Sequence, residues 1–357
     1  MRPAVHAYVG ARTARERGGR GDGITVFRVD ADSGALEPVQ VVGDVLNPSF
    51  LVLNRRRDRL YTVHGDGDAV SVFAVEEQGA RLRFLQRENC GGQNPVHAAL
   101  SPDERCLVVS NHAGPDGGSV AVMPLDPHGA LGAPVQGIGL PGSPGPHRTE
   151  QKSSRPHASV FDPTGRFVLT LDKGQDRVFC FRFEQGRLQP AEPPWVDTRQ
   201  GAGPRLAAFH PTEPFVYVVN DLDSTVATSR FDADTGALRP LQVLSTLSDA
   251  FTGNSRAATV AVSPDGARVH VSNRGEDSIA AFAVSPETGF LRALAPTPSA
   301  GKTPRFFTFD PTGRWVYALN EASDTIVAFR VDPRKARLVR ASTTPCGSPI
   351  CMVFQTT

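Results

Sequence analysis

Five cysteines, Cys90, Cys106, Cys180, Cys346 and Cys351, are odd in number and nowhere spaced as CxxC, so the sequence lacks the pattern of a disulfide framework or a thiolate zinc cluster, and reduced thiols are expected. It has no HExxH, and no GxGxxG that follows a strand and opens a helix, which leaves metal and nucleotide chemistry without a motif. No stretch of 18 consecutive apolar residues is present, and residues 1–10 lack the apolar core of a secretory signal, so the expected compartment is the cytoplasm and no membrane partner is expected. A formal net charge of +1 supplies no sustained basic field for nucleic acid. Helical periodicity is likewise missing, which disfavours an α/β arrangement.

What is abundant is turn chemistry, with 34 Gly and 30 Pro in 357 residues. Similar turns recur at Ser101-Pro102-Asp103-Glu104, Asp162-Pro163-Thr164-Gly165, His210-Pro211-Thr212-Glu213, Ser263-Pro264-Asp265-Gly266 and Asp310-Pro311-Thr312-Gly313, with a degenerate copy at Asn54-Arg55-Arg56-Arg57. Proline pre-sets φ at the second turn position and glycine closes the turn, so each reads as a hairpin connection. The second turn residues, 55, 102, 163, 211, 264 and 311, are 47, 61, 48, 53 and 47 apart. That period suits four-stranded propeller blades.

The flanking runs 167–171, 215–219, 269–272 and 315–319 are rich in β-branched and aromatic residues, as second strands should be. Six turns mark six blades. The orphan run 348–354, combined with 7–10 and 23–29, supplies a seventh that closes the ring with strands from both termini and removes its exposed edges. The expected fold is an all-β, seven-bladed propeller, with residues 1–357 as one domain.

In such a ring the innermost strand of each blade runs from top to bottom and the next returns. Two sets of residues therefore share the top face: Ser49, Val96, His157, Arg205, Ala258 and Arg305 six positions before each turn marker, and Gly65, His112, Lys173, Asp221, Arg274 and Glu321 ten positions after it. Any one of these charges is read equally well as a solvated loop residue. Together, Lys173, Arg205, Arg274 and Arg305 against Asp221 and Glu321, with His112 and His157 among them, predict a cationic mouth for a small anionic molecule. The longest interval carries an additional Gly/Pro-rich stretch at 137–148, read either as a flexible loop over the substrate that adds His147 and Arg148 or as a surface insertion.

The strings Tyr8-Val9-Gly10, Asn47-Pro48-Ser49-Phe50, Gly201-Ala202-Gly203-Pro204-Arg205, Phe251-Thr252-Gly253-Asn254, Ser272-Asn273-Arg274-Gly275-Glu276-Asp277-Ser278-Ile279 and Gly301-Lys302-Thr303-Pro304-Arg305, in this order, span nearly the whole chain. In them the sequence resembles the seven-bladed propeller lactonases of the bacterial 6-phosphogluconolactonase type and, more distantly, a fungal carboxymuconate lactonizing enzyme. The resemblance implies an active site of His157, Arg205, Asp221 and Arg274. Two departures leave the lactone open: the acidic position is usually Glu, and the family's Pro-His-x-His string is here Pro156-His157-Ala158-Ser159.

The resulting expectation is hydrolysis of a small anionic sugar lactone by a monomer or weak homo-oligomer. His157 is expected to act as general base, or else to be a structural histidine at a strand start; Asp221 to orient it, to assist proton transfer or equally to form a structural ion pair with Arg205; and Arg205 and Arg274 to hold the oxyanion or the substrate's anionic group. Lys173, Arg305, Glu321 and His112 are the expected substrate-binding residues. No cofactor or metal is expected, the predicted central ring being cationic rather than carboxylate-rich. The rival expectations are a muconolactone cyclase or lactonase of aromatic catabolism and a non-catalytic binding propeller.

Overall fold

The recurring turn closes its hairpin through its first side chain. Asp162 Oδ1 accepts a hydrogen bond from the Phe167 amide at 2.7 Å, its Oδ2 accepts one from the Thr164 amide at 2.9 Å, and Gly165 adopts φ 72°. Asp310 repeats this with Trp315 and Thr312, and Ser263 holds the Arg268 amide at 3.0 Å. The degenerate copy works too: Asn54 Oδ1 accepts from the amides of Asp58 and Arg59, while Arg57 takes the positive φ that glycine takes elsewhere. These side-chain bonds replace the ladder partners that a tight turn removes.

The computed structural model describes residues 5–332 and 337–356, which form seven four-stranded antiparallel sheets. The innermost strands are Pro48–Leu53, Gln93–Leu100, Pro156–Phe161, Pro204–Phe209, Arg256–Val262, Pro304–Phe309 and Pro349–Thr356. Each packs beside the next and the last beside the first, closing the ring. We number the blades one to seven in that order. Blade seven pairs Pro349–Thr356 with Val5–Ala11, followed outward by Ile24–Val29 and Leu36–Val42, as the sequence predicts. No helix among the described residues is long and apolar enough to cross a membrane.

The second strands are sandwiched between neighbouring blades. In blade four, Phe215–Asn220 is buried at every position. With a side-chain period of two, Val216 and Val218 pack with Phe167 and Leu169 of blade three, while Phe215, Tyr217 and Val219 pack with Val269 and Val271 of blade five. Burial on both faces explains why these strands read as continuous apolar runs.

One irregularity prepares the top face. Just after their first residues, the inner strands of blades one to six slip register against the second strand, at Pro48/Phe50, Pro95/His97, Pro156/Ala158, Pro204/Leu206, Ala257/Val260 and Pro304/Phe306. Blade seven does the same opposite Gly10 and Ala11. Bulges of this kind leave a residue outside the ladder and re-aim its side chain. Among the unpaired residues are Ser49, Val96, His157, Arg205, Ala258, Arg305 and Ile350.

Candidate active site

A cavity of about 450 Å³ opens where the top-face residues converge. Five residues of the first expected set, Ser49, Val96, His157, Arg205 and Arg305, and five of the second, Gly65, His112, Lys173, Asp221 and Arg274, line it. Ala258 and Glu321 are not in its wall. Glu321 stands behind it, 2.7 Å from Arg12 Nε and 3.7 Å from Arg305 Nη1. Burial opposes the Glu321 charge, but Arg305 and Arg12 prevail and keep it lower than an ordinary glutamate. It positions two arginines rather than touching the cavity.

Asp221 is the electrostatic centre. It directly follows the second strand of blade four, Phe215–Asn220, and its side chain is 3% exposed. Its Oδ1 accepts from Arg274 Nη2 at 2.7 Å, and its Oδ2 lies 3.1 Å from Lys173 Nζ and 3.7 Å from Arg205 Nε. Burial alone would raise its pKa, yet Arg274, Lys173 and Arg205 together hold it well below the usual carboxylate range. Among the described residues it makes no hydrogen bond to His157, so the expectation that it orients the imidazole is corrected. The three cations occupy its oxygens.

Arg205 is buried and donates to the Ala258 carbonyl of the next blade. Burial works against its charge, as do Arg274 and Arg305 close by. Three guanidinium groups are thus held together at the floor of the cavity. The Arg305 guanidinium makes no hydrogen bond within the described residues; its nearest counter-charge is Glu321 at 3.7 Å. A cluster of like charges with unused donors is an anion site.

His157 faces His112 edge to face, with ring centroids 5.5 Å apart. His112 Nδ1 lies 3.3 Å from the Pro156 carbonyl, while the His157 ring has no hydrogen bond to another described residue. Burial, then Arg205, His112, Lys173 and Arg305, hold His157 well below 6.5; burial and Lys173 push His112 down to about 3. Both imidazoles are neutral at pH 7, and His157 keeps a lone pair for water or substrate.

Other wall residues were not anticipated: Arg12, Arg17, Arg155, Arg256 and Glu150. Arg12 is the blade-seven counterpart of the second set. Tyr8 stands four residues before it, as Tyr217 stands before Asp221 and Tyr317 before Glu321. Arg155 and Arg256 stand two residues before His157 and Ala258, as Asn47 and Asn94 stand before Ser49 and Val96, and all four line the cavity. His147 and Arg148, from the 137–148 stretch, are not in the wall. His147 instead caps a turn, its Nδ1 accepting from the Glu150 amide at 3.2 Å, and Glu150 is the residue this segment delivers. No three His, Cys, Asp or Glu side chains among the described residues gather to hold a metal ion.

Comparison with known proteins agrees with this architecture. The profile of the "Lactonase, 7-bladed beta-propeller" family matches residues 6–354. The chain is 32% identical over 306 residues to a 6-phosphogluconolactonase of Bacillus subtilis, covering 85% of this chain and 84% of that protein. It is 28% identical over 319 residues to a 6-phosphogluconolactonase of Formosa agariphila, covering 85% and 86%. Among solved structures, the periplasmic gluconolactonase of Pseudomonas aeruginosa superposes with a TM-score of 0.92 at 30% identity, over 99% of both chains.

Proposed function

The chain belongs to the seven-bladed β-propeller lactonases and is a sugar lactone hydrolase, and from that premise we propose that it opens a six-carbon aldonolactone bearing one phosphate, on the cationic face around His157. The observation that carries this reading is the grouping of Arg205, Arg274 and Arg305 around a neutral imidazole with no hydrogen bond inside the described fold. The phosphate is assigned to Arg305 and the neighbouring Arg12, whose shared carboxylate Glu321 lies outside the cavity wall.

Water attacks the lactone carbonyl carbon while a His157 nitrogen accepts its proton. The carbonyl oxygen becomes an oxyanion within the field of Arg205 and Arg274, which are fixed in place by Asp221 and the Ala258 carbonyl and need no reorganisation. Collapse breaks the bond between the carbonyl carbon and the ring oxygen, which takes the proton back from the imidazolium. The product is the open hydroxy acid, ionised at neutral pH. Asp221 acts here as a positioning residue for three cations, and Lys173 and His112 line the sugar's path.

The substrate phosphate beside Arg305 offsets part of the charge that depresses His157. Binding therefore strengthens the base at the moment it is needed. The five thiols are unpaired, in keeping with a reducing cytoplasm, and we assign the enzyme there as a monomer or weak homo-oligomer.

The experiment is a lactone panel in metal-free buffer: 6-phosphogluconolactone, gluconolactone and a carboxymuconolactone. The phosphorylated lactone should give the highest kcat/KM, with competitive inhibition by inorganic phosphate. Preference for the muconolactone would move the assignment to aromatic catabolism, and turnover of none would leave a binding propeller.

A further inference from the structure

The segment leading into blade three carries a carboxylate that no repeat position requires. Glu150 Oε2 lies 2.9 Å from Lys173 Nζ and 3.8 Å from Arg155 Nη1, and its Oε1 lies 2.9 Å from Arg256 Nη2. Burial opposes the charge, but Lys173 and Arg256 outweigh it and hold Glu150 at about 2. It is ionised at neutral pH.

The carboxylate is delivered by a frame. The Glu150 amide donates to His147 Nδ1, and the His147 amide donates to Gln151 Oε1 at 2.9 Å. Gln151 is buried and donates through Nε2 to the Lys173 carbonyl at 2.9 Å and to Asp176 Oδ1 at 2.7 Å. The Gly145 amide reaches the Gly174 carbonyl at 2.8 Å. The segment is therefore tied to the loop that presents Lys173, and Glu150 and Lys173 are set against each other by the same contacts.

The cavity has two cationic poles in different states. At the Arg305 pole the guanidinium has no hydrogen bond among the described residues and only a 3.7 Å counter-charge. At the Lys173 and Arg256 pole a protein carboxylate already sits at ion-pair distance from both. We infer that Glu150 is a specificity-determining residue: it fills the Lys173–Arg256 anion seat, so that the cavity admits lactones with one anionic group and turns away those with carboxylates at both poles. The inference rests on the lactonase reading and adds which charges the substrate carries. A ligand carboxylate at this pole must either face Glu150 at close range or expel it from two cations. A sugar hydroxyl meets no such penalty and donates to Glu150 instead.

The test is Glu150→Gln, which keeps the shape and removes the charge. Tricarballylate binding is measured by calorimetry in metal-free buffer to wild type, E150Q and the double variant E150Q/R256Q, with thermal unfolding to verify folding. Tricarballylate should bind E150Q about tenfold more tightly than wild type, the effect of roughly one unit charge beside the ligand, and the gain should vanish in the double variant. Unchanged or weaker binding by folded E150Q overturns the inference, as does a gain that persists without Arg256. Absence of lactone turnover in the wild type would overturn the lactonase reading instead, and the binding comparison would register separately.

Discussion

Arg274 Nη2 donates to Asp221 Oδ1 at 2.7 Å, joining the ends of the second strands of two neighbouring blades through a carboxylate that also pairs with Lys173. Both residues are largely removed from water, so the pairing decides whether three cations can share one floor. Asp221→Asn keeps the volume and removes the charge. It should cost about 3 kcal/mol or more in denaturant unfolding, because the partners are left as uncompensated buried charges. Lactone turnover should fall further than stability accounts for, since Arg205 and Arg274 lose their anchor. A stability change within about 0.5 kcal/mol would remove the hub role.

The pH profile should separate free enzyme from complex. In the free enzyme burial and nearby cations depress His157, so kcat/KM should stay level from neutrality to well below pH 6.5. In the complex the substrate's anion offsets those cations, so the acid limb of kcat should lie at higher pH than that of kcat/KM. Coincident limbs would show that the substrate's charge does not reach His157.

Stability should decline on acidification from about pH 6.5, earlier than carboxylates alone would cause. Burial pushes His97 to about 3, His112 to about 3 and His270 to about 4. A group whose folded pKa is lowered takes up a proton more readily when unfolded, so unfolding gains free energy as pH falls from the unfolded value of 6.5 toward the folded one. Asp221, also depressed, contributes stability that is complete above 3.8 and is lost progressively as pH falls from there toward its folded value. Equilibrium unfolding between pH 4 and 8 checks this; a flat profile above pH 5 would contradict it.

Gly275 follows Arg274 at φ 121°, and a Cβ there would collide with the Asn254 carbonyl oxygen. Gly275→Ala should destabilise by about 1–3 kcal/mol. It should also lower turnover, because the collision displaces the loop that aims Arg274 at Asp221. Unaltered kcat/KM in this variant would show that the loop tolerates the shift.

The ring and most of the cavity were legible because a repeat converts position into place. One turn marker predicts twelve top-face positions, two in each of six blades, and ten of them line the cavity. Arg12 escaped because blade seven draws its strands from both ends of the chain and has no turn between them to count from. Its signal was the Tyr8 spacing shared with Tyr217 and Tyr317. Arg155 and Arg256 escaped because the bulge after each strand start exposes a second residue upstream, which strand periodicity does not reveal. Glu150 had no signal of this kind, lying in an insertion without counterparts. An ion pair of Asp221 with Arg205 was readable from their shared face, whereas its closer partners Arg274 and Lys173 depended on side-chain distances that spacing does not encode.

In the proposed mechanism His157 takes a proton from water during opening of a sugar lactone. The most direct measurement is pH-stat hydrolysis of 6-phosphogluconolactone by wild type and His157→Ala, corrected for the spontaneous rate. Wild type should open the lactone rapidly and the variant should lose about 10²–10⁴-fold in kcat, with thermal unfolding nearly unchanged. Equal rates for the two folded proteins would contradict it.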